Sequence, residues 1–255
     1  MKKIVVLASA VLFTFCTNKK TETANETVPT TSNRNVYVDT ADMTPQKEEV
    51  VVKQKPTDFI PKGYIEYKPE GIETLKGDLN KDGLDDMVLM IKGTDKTKVV
   101  NVEGRGMLDR NRRGVVVLFA TANGYELASQ NVSCFYSENE DGGVYYAPEI
   151  DLGIEKGKLM VYFSHGRYSY WSYTFRYEKT DFRLIGYDSY SSRGPVPQYV
   201  TSINFLTNKK LIRDNLNKDQ YGDEYEENFV DTWENLKTVK PMYLATIKEF
   251  DDLDF

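Results

Sequence analysis

Residues 78–86 read Asp-Leu-Asn-Lys-Asp-Gly-Leu-Asp-Asp, and residues 87–91 continue Met-Val-Leu-Met-Ile. The second stretch decides the fold. A short, unbroken apolar run straight after a turn-rich segment suits a β-strand buried on both faces. The first stretch points to a chemistry. Oxygen-bearing side chains fall at loop positions 1, 3, 5 and 9, on Asp78, Asn80, Asp82 and Asp86. Gly83 stands at position 6, where the chain must turn sharply, and Leu84 at position 7 offers its main-chain carbonyl. That is the ligand order of the first three-quarters of an EF-hand Ca²⁺ loop. Position 12, normally a bidentate Glu, is Leu89, so the pattern departs from an EF-hand after position 9 and leads into a strand, not a helix.

Three carboxylates gathered at one point repel each other. At ~5 Å and an effective dielectric of ~20, each pair costs roughly 3 kcal/mol. A hard divalent cation reverses the sign, and Ca²⁺ accepts several oxygens in a flexible shell. The competing reading is an Asp- and Asn-rich turn that caps a strand without metal. The segment from Gly77 through Leu89 resembles the FG-GAP (integrin-propeller, or VCBS-like) calcium loop. The resemblance implies Ca²⁺ held by Asp78, Asn80, Asp82, the Leu84 carbonyl and Asp86. Propellers need several blades, each with its own signature, and one good signature excludes a multi-blade propeller here. A fainter echo runs from Asn215 to Asp223, with Asn at position 1 and Gln220 in place of the turn glycine. It reads as a solvated acidic loop, with a degenerate second metal site as the alternative.

Around the loop, strands are expected near 86–92, 114–120, 125–130, 144–152, 158–164, 170–178, 181–189, 199–206 and 209–213. Ala122-Asn123-Gly124 and Lys156-Gly157 read as hairpin turns. The 18 Tyr and 12 Phe residues favour strands. Tyr225, Phe229 and Trp233 recur every four residues with Leu236 following; that spacing predicts an amphipathic helix packed on the sheet. Met242–Phe250 is expected to hold a second short helical segment. The fold class is therefore mostly β with minor α: a compact antiparallel β-sheet domain with one EF-hand-like Ca loop and a C-terminal helix.

The N-terminus reads as an export signal. Lys2 and Lys3 precede an apolar stretch, Ile4 to Phe15, too short to span a bilayer. Cys16 follows where a bacterial lipoprotein signal places its lipidated cysteine. Leu12-Phe-Thr-Phe-Cys16 resembles a lipobox, although Phe15 replaces the usual small residue. An ordinary secretory signal is the alternative. The expected organisation is a signal peptide over 1–15, a lipidated Cys16 with a flexible tether over 16–57, and a β-rich calcium-loop domain over 58–255. The tether is rich in Thr, Asn, Lys and Glu and nearly free of aromatics, so it cannot bury enough surface to offset its ordering entropy. The location implied is the cell envelope, membrane-anchored, at the periplasmic or outer-membrane surface. With Cys16 lipidated, Cys134 has no partner for a disulfide and is expected to be a buried strand residue.

The chain carries a net charge of −6 and a pI near 5.1, which argues against a nucleic-acid partner. The lone histidine, His165, lies in Phe-Ser-His-Gly-Arg-Tyr-Ser-Tyr-Trp, residues 163–171. No Gly-x-Ser-x-Gly elbow accompanies it, and one His with one spare Cys is a poor zinc set. Exposed Tyr, Trp and Arg dominate many interfaces, so His165, Arg167, Tyr168, Tyr170 and Trp171 form the expected partner-binding turn. In a strand, however, neighbours such as Tyr170 and Trp171 face opposite sides, which leaves half of them to the core. A second acidic turn, Glu138, Glu140 and Asp141, faces the alternatives of a cation, an Arg-rich partner, or pairing with Arg110, Arg112 and Arg113 inside the domain.

One calcium loop, a β-rich exported domain and an aromatic turn over Ser164–Trp171 resemble periplasmic lysozyme-inhibitor-type domains, some of which are immunity lipoproteins. The resemblance implies a non-catalytic protein that binds a macromolecule such as a lysozyme-like cell-wall hydrolase, many of which are cationic. The alternative is an envelope hydrolase acting on peptidoglycan or polysaccharide, which needs two carboxylates in opposed environments.

Overall fold

A computed structural model describes residues 53–69, 73–140, 147–166, 168–220, 225–237, 240–250, 253 and 255. The expected signal segment, Cys16, Arg167, Asp141 and Asp223 lie outside the described residues. Among the described residues no helix is long and apolar enough to cross a membrane.

The apolar run becomes β3 (Asp86–Gly93), buried along nearly its whole length. It sits inside a five-stranded antiparallel sheet. β1 (Tyr64–Glu66) and β2 (Leu75–Gly77) share one edge of β3, while β6 (Arg113–Thr121) and then β7 (Gly124–Phe135) follow on the other. Period-2 alternation divides β3 and β6 between two cores. Val88, Val115, Val117 and Phe119 point into the main core; Met87, Leu89, Ile91, Val116 and Leu118 face a smaller one closed by Phe59, Ile60 and Tyr64.

The second sheet is a meander of seven antiparallel strands. It runs β8 (Glu149–Glu155), β9 (Lys158–Ser164), β10 (Ser169–Glu178), β11 (Asp181–Arg193), β12 (Val196–Asn204), β13 (Lys209–Asn215) and β14 (Phe229–Asn235). A small ribbon, β4 (Val99–Val102) with β5 (Gly106–Asp109), stands apart. The hairpins form where turn residues foretold them. Lys156 and Gly157 both adopt positive φ (51° and 71°), which matches the twist of the flanking strands.

The two sheets share the main core, which is largely aromatic. Phe250, from the C-terminal segment, has its ring centroid 5.5 Å from those of Phe135 and Phe163 and 4.8 Å from that of Tyr173. The Tyr173 hydroxyl donates to the Phe250 carbonyl at 2.9 Å. Burial, with the Tyr187 hydroxyl nearby, pushes the Tyr173 phenol above its ordinary pKa. Cys134 is buried in β7 as expected, and burial pushes its thiol up to about 12.

The expected C-terminal helix is not formed. Phe229, Trp233 and their neighbours are the edge strand β14, paired with β13 from Asn215↔Phe229 to Lys209↔Asn235. Residues four apart share a face in a strand as well as in a helix. The run Phe-Val-Asp-Thr-Trp is rich in β-branched and aromatic residues, which settles the ambiguity toward β. Trp233 is 65% exposed instead of packing on the sheet. Of the second helical segment only a single 3₁₀ turn, Leu244–Thr246, appears.

That turn packs against β7 and sends Leu244 and Ile247 into the main core. Buried Asn131 donates from Nδ2 to the carbonyls of both Leu244 and Ile247, each at 2.7 Å. Asn131→Ala leaves two buried carbonyls without their donor, at a cost of about 2–3 kcal/mol. The expected urea midpoint falls accordingly with an unchanged slope; a loss under ~0.5 kcal/mol contradicts this role for Asn131.

Candidate functional site

The acidic loop is held at the junction of the two sheets. Gly77 lies against Ile154 of β8, where an added Cβ would come 2.9 Å from Ile154 Cγ2. Leu79 is buried in the main core and anchors the loop from below. Gly83 has φ +88°, the left-handed conformation that position 6 of the loop requires.

Each acid has a defined task. Asp78 Oδ1 accepts the amides of Lys81 (2.6 Å) and Asp82 (3.2 Å), and Oδ2 accepts that of Gly83 (3.0 Å). The backbone is thus wound around this carboxylate. Asp82 Oδ1 accepts the Leu84 amide, and its Oδ2 accepts from Asn80 Nδ2 at 2.8 Å. Asp86, with no exposed surface, accepts the Leu79 amide at 2.7 Å and that of Asn80 at 3.3 Å through Oδ2. Its Oδ1 accepts the Ala120 amide at 3.0 Å and so ties the loop to β6. Burial raises the pKa of Asp86; the three amides pull it back, and Asp82 adds to the rise.

Among the described residues no three His, Cys, Asp or Glu side chains converge as a metal set. The donor chemistry nevertheless fits a hard cation. A carboxylate oxygen has two lone pairs, so an amide on one leaves the other for an ion. Two carboxylates, one carboxamide and the Leu84 carbonyl lie within one turn of an amide-wound loop, and Asp82 and Leu84 are exposed.

The echo at Asn215 differs in kind. Asn215 is fully buried; its Nδ2 donates to the Pro197 carbonyl (2.8 Å) and to the Tyr225 hydroxyl (2.6 Å). Its Oδ1 accepts the amides of Asn217 and Asn228, both at 3.1 Å. A group that must donate twice has to be a carboxamide, which explains Asn where the first loop has Asp.

The expected partner turn is divided by the strand alternation. Trp171 faces inward and stacks on Phe163 at 5.4 Å, with His165 half-buried against it at 5.6 Å. Tyr168 and Tyr170 are exposed, and Tyr170 stacks on Tyr190 of β11 at 5.0 Å and 12°. Register places Tyr170, Tyr190, Tyr162 and Asp188 on the outer face of the seven-stranded sheet, with Glu149, Asp151 and Glu155 of β8. Tyr162 donates to Glu155 at 3.3 Å. Burial raises its phenol, and the negative charges of Glu155, Asp151 and Asp188 raise it further.

Sequence reasoning missed one centre. Buried Lys92 on β3 contacts Glu138 Oε1 at 2.5 Å and Asp109 Oδ2 at 2.8 Å. Tyr67 donates to Glu138 Oε2 at 2.8 Å, and the buried Arg113 guanidinium lies 5.2 Å from the Tyr67 ring. Glu138 and Arg113 reach the wall of a cleft of about 550 Å³ beside Tyr67, Leu75 and Ile150. Glu138 takes its ion pair from Lys92, a residue outside the expected set of Arg110, Arg112 and Arg113. Arg112 instead pairs with Glu249 at 2.7 Å. Only the acidic turn hinted at this centre, because Lys92 is 46 residues from Glu138.

Burial alone raises the carboxyls of Glu138 and Asp109, but hydrogen bonds from Lys92, with Tyr67 on Glu138, outweigh it and hold both below the carboxylate range. Burial alone lowers Lys92; the same two carboxylates raise it. Depressed acids stabilise the fold above their unfolded values near ~4 and lose that contribution as pH falls through the folded values. Lys92→Met should cost about 1–3 kcal/mol at neutral pH, less than for a fully buried pair because both acids are one-third exposed. The variant's stability should also fall less steeply between about pH 5 and pH 2. Parallel acid profiles for the two proteins contradict this assignment.

No family model matches the chain, and no curated protein or solved structure matches it.

Proposed function

We propose that the chain is a non-catalytic, calcium-stabilised cell-envelope lipoprotein whose β-domain binds a cationic protein, and that a lysozyme-like cell-wall hydrolase is the partner class that fits best. The observation that carries the reading is the outer sheet face. An exposed Tyr170 stacked on half-buried Tyr190 stands beside an acidic strip of Glu149, Asp151, Glu155 and Asp188. Stacked tyrosines offer large, rigid contact area at low entropic cost. The acids steer a cationic partner and fix its orientation more than they add affinity. Tyr168 extends the same surface from the turn, and the resemblance to lysozyme-inhibitor-type domains agrees with it. Trp171 serves this surface from beneath by holding the turn in place.

Calcium is assigned to the Asp78–Asp86 loop on its donor order, its exposed Asp82 and its FG-GAP-like sequence. Extracellular sites of this kind bind with Kd of ~10⁻⁴–10⁻³ M. Calcium at tenfold excess over Kd should then add roughly 1.4 kcal/mol of stability. Asp82 bears no packing load, so Asp82→Ala should fold normally and lose that increment, with a melting temperature indifferent to chelator. A variant as responsive to calcium as the parent removes Asp82 from the ligand set.

The partner reading is tested by adding the chain to a lysozyme-like hydrolase acting on peptidoglycan. The expected result is inhibition that weakens as salt rises. Tyr170→Ala and Asp188→Lys should each raise the inhibitor concentration needed by about tenfold or more. Peptidoglycan turnover by the chain alone, or inhibition unmoved by both substitutions, contradicts the proposal.

A further inference from the structure

The edge strand β14 is built unlike the strands around it. Six of its seven residues are exposed, on both faces, including Val230 and Trp233. Its pairing with β13 runs unbroken from Phe229 to Asn235 with no bulge. Natural edges are usually guarded by Lys, Pro, bulges or a covering segment. Residues 229–235 contain no Lys, Arg or Pro, and their only charges are the acids Asp231 and Glu234.

The hydrogen-bond phase shows which groups are open. Leu236 donates to the Asn208 carbonyl and Leu216 to the Asn228 carbonyl. In an antiparallel ladder such bonded pairs recur every second residue. The even-numbered residues of β14 therefore bond to β13, while Phe229, Asp231, Trp233 and Asn235 direct both amide and carbonyl to the open edge.

We infer that this edge is a homodimer interface, in which β14 pairs antiparallel with β14 of a second copy about a two-fold axis at Thr232. That register joins odd residues to odd residues, as the open groups require. It sets Asp231 opposite Trp233, Val230 opposite Glu234 and Phe229 opposite Asn235 of the second copy, and no acid faces an acid. Shifting the axis to Asp231 places that acid against its own copy, which is destabilising. Shifting it to Trp233 pairs Phe229 and Val230 with residues beyond the end of the strand. The Thr232 register alone uses the whole strand without like-charge conflict, and this self-complementarity favours a second copy over an unrelated strand. A single strand pair buries less than the ~1,200 Å² of a standard interface, so the dimer is weak and reversible.

The register makes a sharp test. Thr232 meets itself in a non-bonded pair, where Cα atoms stand about 4.5 Å apart, within disulfide reach. The full chain carrying Thr232→Cys, oxidised under mild conditions, should run mainly at twice its mass on a non-reducing gel. Val230→Cys and Glu234→Cys should each stay monomeric alone and link only when mixed. Every chain tested also carries Cys16→Ser, so that the buried Cys134 is the only other thiol, and the chain with Cys16→Ser alone sets the background. Asp231→Pro removes an outward-facing amide and the exposed ion pair of Asp231 with Arg213 (2.9 Å), and leaves the backbone ladder to β13 intact; combined with Thr232→Cys it should abolish the cross-link. Overturning results are a Thr232→Cys chain that links no better than that background, or Val230→Cys linking alone as readily as Thr232→Cys.

Discussion

The arrangement rests on one buried carboxylate. Asp86 begins β3 and takes amides from the acidic loop on one oxygen and from Ala120 of β6 on the other. Loop, strand and neighbouring strand are thereby locked in one geometry. An ionised acid without solvent is costly unless its lone pairs are satisfied, and here three amides do so. Burial raises the pKa of Asp86, and the three amides oppose that rise. A group shifted this way favours the fold most below its unfolded pKa and loses that contribution as pH rises through the folded value. If the loop takes up the proposed divalent cation, its charge would offset the remaining penalty and couple ion binding to the fold through this residue.

The same tie sets the relation between chemistry and architecture. Gly77 against Ile154 and Leu79 in the core bring the loop to the seven-stranded sheet, whose inner face is aromatic and whose outer face is exposed. The core is closed late in the chain: Phe250 enters among Phe135, Phe163 and Tyr173.

Legibility in the sequence followed the range of the interactions. The Met87–Ile91 run, the hairpin at Lys156–Gly157 and the turn at Gly83 are local features, and each could be read directly. The edge strand could not, because the four-residue spacing of Phe229 and Trp233 satisfies helix and strand alike and only pairing with β13 decides. The split of the aromatic turn into an inward Trp171 and an outward Tyr170 followed from alternation once the strand was assigned. The Lys92–Glu138–Asp109 centre was invisible because its members come from three distant segments. Asn215 read as part of a solvated acidic loop, with a weakened metal site as the alternative, and only its buried position and two donated hydrogen bonds show why a carboxylate could not serve there.

The most direct test of the central claim is a high-resolution crystal structure grown in millimolar calcium, with anomalous data collected to identify the ion. The account predicts a single peak within the loop, ringed by 6–8 oxygens at 2.3–2.6 Å that include Asp78, Asn80, Asp82, Asp86 and the Leu84 carbonyl. The same carboxylates holding only their amides, with no anomalous peak between them, would contradict it.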